Sequence, residues 1–381
     1  MSNKKKILIL IDWFAPGYKA GGPIQSCVNI CRALHSEYEL FVLTTDTDHG
    51  ETTAYPEIIP NQWMVNTELG IPIFYAEKKT LTAGQIKKQV LAVNADAVYL
   101  NLLFSPYFAV YPLWLKLTGV IKSKVVMCPR GTLYESALSL KRYKKMPLLF
   151  LYKLMGIHKK VIFHATNERE KTAIQKYFPG SNIVIADNLP GIEQDVFETC
   201  NKDPGSLKCI FIARIVPIKN LLYVLELLKQ VSQQVSLSIV GPAENEAYWM
   251  ECKLVINQLP QNISVQYIGP KNKREIKELL QQHHLFLLPT TGENFGHAIF
   301  EAMLAGRPVL ISDQTPWLQL AASSAGWDHP LSKPELFIST ITQLAEADQQ
   351  EFDKYATGAW QYAHSFINNP ALTAPYKILF E

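Results

Sequence analysis

The sequence of 381 residues lacks the cysteine patterns of disulfide frameworks and of metal-binding modules. Its six cysteines include no CxxC pair and no metal-ligand spacing: Cys27, Cys31, Cys128, Cys200, Cys209 and Cys252. We expect reduced, mostly buried thiols in a cytosolic protein, which excludes a disulfide-rich secreted domain and a zinc module.

Long apolar runs are also absent. The run at residues 7–11 ends at Asp12 without a small-residue cleavage site, so it predicts a first β-strand and not a signal peptide. The more extended apolar stretch at 103–121 is interrupted by two prolines and by Lys116, and it falls where a crossover helix is expected. The sequence therefore predicts no membrane span.

Charge of neither sign is in large excess. The net charge of +3 is too small to indicate a nucleic acid as partner. Charged residues make up 19% of the chain, below the usual share of about a quarter, which fits either a dry surface or much buried parallel strand. The distribution is uneven, because between Lys122 and Lys160 the only acid is Glu135 and basic residues are frequent.

Short apolar runs alternate with helical patterns, which is typical of doubly wound parallel sheets. Strands are predicted at 6–11, 39–44, 72–75, 96–101, 124–128, 160–164 and 182–186, and again at 208–212, 235–240, 263–268, 285–289 and 308–312. A looser stretch at 188–206 separates the two sets. The prediction is an α/β domain at 1–190, a second at 191–350, and C-terminal helices at 351–381 whose return to the first domain is left open.

One segment of the second domain combines a strand end, a polar loop and a helix start. The strand ends at Pro289, the helix is predicted to begin near Asn294 or Gly296, and it stops at Gly306. A helix N-terminus at the carboxyl end of a parallel strand favours phosphate.

Two carboxylates flank this helix start. Glu293 lies in the loop, and Glu301 lies about two turns into the helix at i, i+4 from His297. Such carboxylates can accept hydrogen bonds from sugar hydroxyls. Glu293 as a helix cap and Glu301 as a solvated residue remain an equal alternative from spacing alone.

Two cations follow the first strand of the second domain. Arg214 and Lys219 lie on one loop before a helix and could together bind a diphosphate, the guanidinium bidentately and the ammonium as a point charge. Two solvated loop cations are the alternative.

Together these segments resemble the retaining glycosyltransferases of family 4, which have the GT-B fold. The first matches the most specific motif of that family and the second its diphosphate-binding pair: Glu293-x7-Glu301 with Phe295-Gly296 inside it and Gly306-x-Pro308-Val309 after it, and Arg214-x4-Lys219. The likeness spans essentially the whole chain and is strongest at 207–313. It implies two Rossmann-like domains facing across a cleft, the first binding the acceptor and the second the donor.

The resemblance also implies roles. Arg214 and Lys219 would neutralise the leaving diphosphate and Glu293 would bind the transferred sugar, which makes these three the catalytic candidates. The remaining donor-binding candidates are Glu301 on the ribose, then Asn294, Phe295, Gly296 and His297. The implied activity is transfer of a hexose-type unit, with retention, from a nucleoside-diphosphate sugar, most commonly UDP-linked, to a glycan or lipid-linked acceptor in surface polysaccharide biosynthesis. No metal and no cofactor are implied.

The first domain adds weaker candidates. Gly21-Gly22 precedes Pro23, an open helix start that the family places in its cleft, although a pure turn role is equally open. Asn101 stands roughly where many relatives carry a histidine that contacts the donor sugar. Arg130 could hold an acceptor phosphate, with a structural ion pair as the alternative.

Other chemistries are less well supported by the sequence. Pro23 stands where a P-loop needs lysine, and no GxGxxG with a downstream ribose acid indicates a nicotinamide site. Asp46 and Asp48 form a DxD pair that could hold a metal, but the second-domain motifs point to a metal-free site. A sugar-nucleotide epimerase and a non-catalytic glycan- or nucleotide-binding subunit remain alternatives.

The basic strip at 141–151 joins cations to large apolar residues. That composition suits peripheral contact with anionic lipid, and a solvated helix start is the alternative. The predicted location is the cytoplasm, with association to the inner face of the membrane left open.

Overall fold

A computed structural model describes residues 4–139, 141–191 and 197–381. The chain divides into two compact units. Unit 1 comprises Met1–Ile192 together with Pro370–Glu381, and unit 2 comprises Glu193–Asn369. The last helix of the chain is therefore part of unit 1.

Unit 1 is built on an eight-stranded sheet of order β3-β4-β2-β1-β5-β6-β7-β8. Every neighbouring pair is parallel except β3 and β4, which are antiparallel. The central strands are almost fully buried, as their unbroken apolar sequences require. The strands are β1 (Lys6–Leu10), β2 (Glu39–Thr45), β3 (Trp63–Asn66), β4 (Ile71–Ala76), β5 (Ala97–Asn101), β6 (Lys124–Cys128), β7 (Ile162–Ala165) and β8 (Asn182–Ile185).

Helices of unit 1 connect these strands. They are α1 (Gly22–Leu34), α2 (Ala83–Val93), α3 (Tyr111–Leu117), α4 (Glu135–Ser139), α5 (Arg142–Leu154) and α6 (Glu168–Tyr177). The crossover helix expected within 103–121 is instead a π-helical turn at Pro106–Val110 followed by α3. Val110 donates to the Ser105 carbonyl at 2.8 Å, and Pro112 has no N–H with which to continue a regular ladder.

Unit 2 is built on a six-stranded, wholly parallel sheet of order β11-β10-β9-β12-β13-β14. Its strands are β9 (Ser206–Ile212), β10 (Gln234–Val240), β11 (Ile263–Gly269), β12 (Leu285–Leu288), β13 (Val309–Ser312) and β14 (Gly326–His329). Its helices are α7 (Leu221–Leu228), α8 (Glu246–Ile256), α9 (Lys273–Gln281), α10 (His297–Leu304), α11 (Pro334–Glu346) and α12 (Gln349–Ile367); α13 (Ala374–Phe380) follows in unit 1. The predicted α/β class with two doubly wound sheets is confirmed.

Each sheet has a point where the strand order reverses. In unit 2 it lies between β9 and β12, and in unit 1 between β1 and β5. At such a point the loops leaving the two strands diverge to opposite sides, so a crevice opens at the carboxyl edge of the sheet, where α/β proteins bind ligands. Ligand-binding residues are therefore expected in the loops that leave the strands at these two reversal points.

Candidate active site

The loop after β9 carries two of the predicted catalytic residues. A short 3₁₀ turn at Pro217–Lys219 ends at Asn220, which has a left-handed backbone and precedes α7. Arg214 lies before this turn, and its Nη1 is 2.9 Å from Oε2 of Glu244. Glu244 did not emerge from the sequence, because it lies in the loop after β10 and only the sheet order brings it beside Arg214.

The loop after β12 is hydrogen-bonded to the loop after β9. The backbone N–H of Thr291 donates to the Ile218 carbonyl at 2.9 Å, and the Thr290 hydroxyl donates to the same oxygen at 2.8 Å. The Asn220 side chain donates to the Pro289 carbonyl at 3.0 Å. The two loops at the reversal point of unit 2 therefore form one hydrogen-bonded structure.

This structure brings together the Lys219 ammonium and the Glu293 carboxylate. They form an ion pair, with side chains that keep only 17% and 12% of their surface accessible. Partial burial strengthens the attraction relative to a pair in bulk water. An ammonium has three donors, so Lys219 can hold Glu293 and still bind a second anion.

Helix α10 begins where the sequence predicted. Its N-cap, Gly296, has a left-handed backbone at φ 79°, and a Cβ there would lie 2.7 Å from Cδ1 of Ile299. Glycine is therefore required for the loop to turn into the helix. His297 is the first helical residue, and Glu301 lies one turn later; both are partly exposed. Asn294 is also partly exposed in the same loop.

Phe295 anchors this loop in the core of unit 2. Its ring is buried and packs against Trp317 at a centroid distance of 5.0 Å, and its carbonyl accepts from Nε1 of Trp317 at 2.5 Å. The Phe295 side chain therefore stabilises the loop from within the core of unit 2 and is not itself available to a ligand. Trp317 stabilises the Phe295 loop, and this role was not predicted from the sequence. The feature that could have indicated it is a tryptophan within an otherwise polar stretch.

Gly21 and Gly22 start helix α1 in unit 1. Gly21 is the N-cap, with φ 68° and ψ −127°, and Gly22 is the first helical residue. A Cβ added to Gly21 would meet no atom within 4 Å, so the backbone there is open. The predicted ligand contact of this pair stays a prediction.

Asn101 and Arg130 contact each other inside unit 1. Nε of Arg130 donates to Oδ1 of Asn101 at 2.7 Å, and Asn101 donates to the Leu10 carbonyl at 3.1 Å. Arg130 also donates to Oδ1 of Asn188 at 2.8 Å and to the Tyr99 hydroxyl at 3.1 Å. Both side chains are buried. Both side chains therefore stabilise the interior of unit 1. For Arg130 this resembles the structural ion pair that the sequence left as the alternative to phosphate binding, except that these hydrogen-bond partners are neutral groups.

The carboxylates of the DxD pair support a loop. Oδ1 of Asp46 accepts from the backbone of Lys78 at 3.0 Å, and Asp48 accepts from the backbones of Tyr18 and Lys19 at 2.8 and 3.1 Å. Both aspartates are buried. In the structure both carboxylates stabilise the backbone of the loops that follow β4 and β1.

His164 is a core residue of unit 1. Its ring nitrogens lie 2.7 Å from the Tyr99 hydroxyl and 2.8 Å from the Ala186 carbonyl. Burial lowers its pKa to about 3. His164 is therefore a neutral structural histidine at physiological pH.

Known proteins share this fold. Sucrose-phosphate synthase from Thermosynechococcus elongatus superposes with a TM-score of 0.74 at 13% identity, over 99% of this chain and 98% of that one. HepE of Anabaena in complex with UDP-glucose superposes with a TM-score of 0.71 at 17% identity, over 98% and 99%. WaaG, a glycosyltransferase of lipopolysaccharide biosynthesis, gives 0.65 at 14% identity, over 98% of each chain.

The sequence comparisons each cover less than half of the chain. Residues 193–356 match the family described as glycosyl transferases group 1. The amylovoran biosynthesis glycosyltransferase AmsK of Erwinia amylovora is 26% identical over 170 residues, which span 42% of this chain and 41% of the relative. The chain thus aligns with about two fifths of the length of that curated relative.

The fold of this protein, with its two α/β units, is of the GT-B type, as the resemblance in sequence implied. Residues 193–356, which match the glycosyl transferases group 1 model, contain the loop of Arg214 and Lys219 and the segment from Glu293 to Glu301.

Proposed function

We propose that the protein is a glycosyltransferase that moves a hexose-type sugar from a nucleoside-diphosphate donor, UDP-linked, to a glycan or lipid-linked acceptor. The observation that carries the proposal is the Lys219–Glu293 pair at the reversal point of unit 2, between two loops that the family match includes. The UDP-glucose complex of HepE supports a UDP-linked donor. The part of AmsK in amylovoran biosynthesis supports a role in polysaccharide biosynthesis, and the resemblance to family 4 supports retention.

In this proposal unit 2 stabilises the departing diphosphate. Lys219 and Arg214 supply positive charge where negative charge accumulates in the transition state, so they lower the barrier more than they tighten ground-state binding. Each charged hydrogen bond is worth about 1.5–3 kcal/mol. Glu293 orients the Lys219 ammonium and accepts from the transferred sugar, while Glu301 accepts from the ribose hydroxyls. The chemistry needs no cofactor, because the leaving nucleotide brings its own activated bond.

A thermal-shift screen against UDP-, GDP-, ADP- and CMP-sugars tests the donor. We expect one UDP-sugar to raise the melting temperature of the wild type, and the Glu301→Ala variant to lose about tenfold or more in affinity while staying folded. Full affinity in both Glu301→Ala and Lys219→Ala would contradict the site.

Turnover separates the proposal from its alternatives. A transferase is expected to hydrolyse the donor slowly without acceptor, whereas a non-catalytic binding subunit releases no nucleotide and an epimerase returns an isomeric nucleotide sugar. Proton NMR of the anomeric centre of the transferred sugar then tests retention.

We also propose that unit 1 contacts an anionic bilayer through helix α5, which gives the enzyme a cytoplasmic location at the inner membrane face. Five apolar side chains are exposed at i, i+4, i+7, i+8 and i+11 of this helix: Tyr143, Pro147, Phe150, Leu151 and Leu154. Such spacing aligns them on one face. Tyr143 and Leu154 keep 73% and 72% of their surface accessible.

Basic residues accompany this apolar face. Lys141, Arg142, Lys144 and Lys153 are exposed on or beside the same helix, and each cation near an anionic surface contributes about 1 kcal/mol. Among the helices that the structure describes, none is long and apolar enough to cross a membrane. The surface therefore fits a peripheral contact, in which a side of the helix enters the headgroup region.

Liposome flotation tests the membrane contact. Wild type is expected to float with phosphatidylglycerol vesicles and not with phosphatidylcholine vesicles. A Phe150→Ser/Leu154→Ser variant and a Lys141→Gln/Arg142→Gln/Lys144→Gln variant should each stay in the soluble fraction. Leu254→Ser, which changes an exposed leucine of α8 in unit 2, is the matched control. Equal flotation of all four proteins would end the proposal.

A further inference from the structure

Glu244 is the acidic partner of Arg214 in unit 2. It lies in the loop after β10, and Arg214 lies in the loop after β9; these two strands are parallel neighbours whose last residues, Val240 and Ile212, stand in register. Oε2 of Glu244 accepts from Nη1 of Arg214 at 2.9 Å. Within the residues that the structure describes, Glu244 is the one side chain bonded to this guanidinium.

The backbone on both sides of Arg214 is bonded to the stretch of chain that carries Glu244. The N–H of Ile215 donates to the Pro242 carbonyl at 2.9 Å, and the N–H of Ala213 donates to the carbonyl of the last residue of β10 at 3.0 Å. The Arg214 backbone therefore has a fixed position relative to this loop, and its side chain is the part that remains to be oriented.

The loop of Glu244 is also anchored at its far end. Asn245, the next residue, is the N-cap of α8, and its side chain accepts from the N–H of Tyr248 at 3.0 Å. The Tyr248 hydroxyl in turn accepts from the N–H of Leu222, in the first turn of α7, at 2.9 Å. The N-terminal turns of α7 and α8 thus hold the Glu244 backbone in place, so its carboxylate can serve as a fixed acceptor.

The Arg214 side chain is long and partly exposed, so its orientation depends on a partner. It keeps 39% of its surface accessible, and the Glu244 side chain keeps 24%. A guanidinium is a planar fork of donors, and a carboxylate bonded at one nitrogen selects its orientation while the other nitrogens stay available for a diphosphate. Because a partly exposed ion pair adds little stability to a fold, orientation of Arg214 explains the contact better than stability does.

Glu244 has two opposing effects on a diphosphate bound at Arg214. Its hydrogen bond holds the guanidinium in one orientation before the donor binds, which lowers the barrier to departure of the diphosphate. Its negative charge repels the diphosphate and weakens binding in the ground state. An amide in place of the carboxylate would keep the first effect and remove the second, so the two effects can be measured separately.

Resting on the proposed function, we infer that Glu244 is a positioning residue, which orients the Arg214 guanidinium toward the departing diphosphate and raises turnover while it weakens nucleotide affinity. Glu244 acts through Arg214 and contacts no part of the donor itself.

Release of UDP from the UDP-sugar selected by the donor screen, followed with a radiolabelled donor, tests the inference together with isothermal titration of UDP. We expect Glu244→Ala to lower kcat about three- to tenfold, the effect of one hydrogen bond, with an equal or lower Kd for UDP. Glu244→Gln should restore kcat to within about twofold of the wild type, because its amide oxygen still accepts, and should bind UDP more tightly. A purely structural role would lower the melting temperature and change neither constant, which would overturn the inference.

A double-mutant cycle tests whether Glu244 acts through Arg214. Glu244→Ala should have no further effect on kcat in an Arg214→Ala background, because no guanidinium is left to orient. Glu246→Ala is the matched control. Glu246 is an exposed glutamate in the first turn of α8, and its loss should leave kcat as in the wild type.

Wild-type kcat in Glu244→Ala overturns the inference, and so does an equal loss of kcat from Glu244→Ala with and without Arg214. If Glu244→Ala does not fold, Glu244→Asp replaces it, since it keeps the charge and withdraws the carboxylate by one methylene. Its kcat should also fall, and a wild-type value overturns the inference. A wild type that binds no nucleotide sugar, or releases no nucleotide from a bound one, defeats the proposed function and the inference with it.

Discussion

The ion pair between Lys219 and Glu293 permits a test that separates stability from ligand binding. In a Lys219→Met variant the apolar stem remains and the charge is lost. Glu293 is then left largely buried without its cation, and an unpaired polar group of this kind costs about 1–3 kcal/mol. For a unit of this size each kcal/mol lowers the melting temperature by about 2–4 °C.

The same variant should lose nucleotide affinity. One charged hydrogen bond to the diphosphate is worth about 1.5–3 kcal/mol, which corresponds to about a 10- to 150-fold rise in the Kd for UDP. Adding Glu293→Gln to Lys219→Met removes the uncompensated carboxylate, so the double variant should recover much of the lost melting temperature. It should not recover the affinity, because no cation returns.

Isothermal titration with UDP and a thermal melt of the same samples provide both readouts. Lys229→Met is the matched control, since it breaks a lysine–glutamate pair with Glu226 on the more exposed surface of α7 in the same unit; both readouts should stay near wild type. A Lys219→Met protein that binds UDP as tightly as the wild type would refute the assignment of Lys219 to the diphosphate.

Two further predictions concern the stability of the fold. Gly241 has a φ of 137°, and a Cβ added there would lie 2.0 Å from the carbonyl oxygen of Ala213. Gly241→Ala should therefore lower the free energy of unfolding by more than about 2 kcal/mol in urea titrations, and a variant as stable as the wild type would contradict that geometry. For His164, burial lowers the folded pKa to about 3, below the ordinary histidine pKa of about 6.5, so the unfolded chain binds the proton first and stability falls as pH drops below about 6.5. His164→Gln should therefore shrink the stability difference between pH 7.5 and pH 5 by up to about 2 kcal/mol, as measured by urea titrations at the two pH values, and an unchanged difference would contradict the buried neutral histidine.

The sequence predicted the buried strands and the edge strands β8 and β11, but it missed the edge strands β3 and β14. Runs such as residues 7–10 are apolar throughout because both faces of a central parallel strand are covered. The edge strands β3 and β14 contain polar residues, and β14 reads Gly-Trp-Asp-His. An edge strand pairs on one side only, so its sequence carries less of the apolar signal by which strands are recognised.

The position of the candidate site was predictable, but its pairings were not. Loop composition and the glycines around Gly296 indicated a helix start after a strand, and α10 begins there. The contacts of Lys219 with Glu293 and of Arg214 with Glu244 depend on which strands are neighbours. The order of strands in a sheet depends on tertiary contacts, so it cannot be predicted from the local patterns of a single sequence.

Helix α13 imposes an order on the synthesis of this protein. It packs into unit 1, where the Tyr376 hydroxyl donates to the Asp187 carbonyl at 2.9 Å across 189 residues of chain. The ribosome synthesises all of unit 2 before it reaches α13. Unit 1 can therefore complete its fold only after unit 2 has been synthesised. Until then its core around His164, against which the Tyr376 ring packs at 5.4 Å, lacks its cover and is exposed to chaperones and proteases.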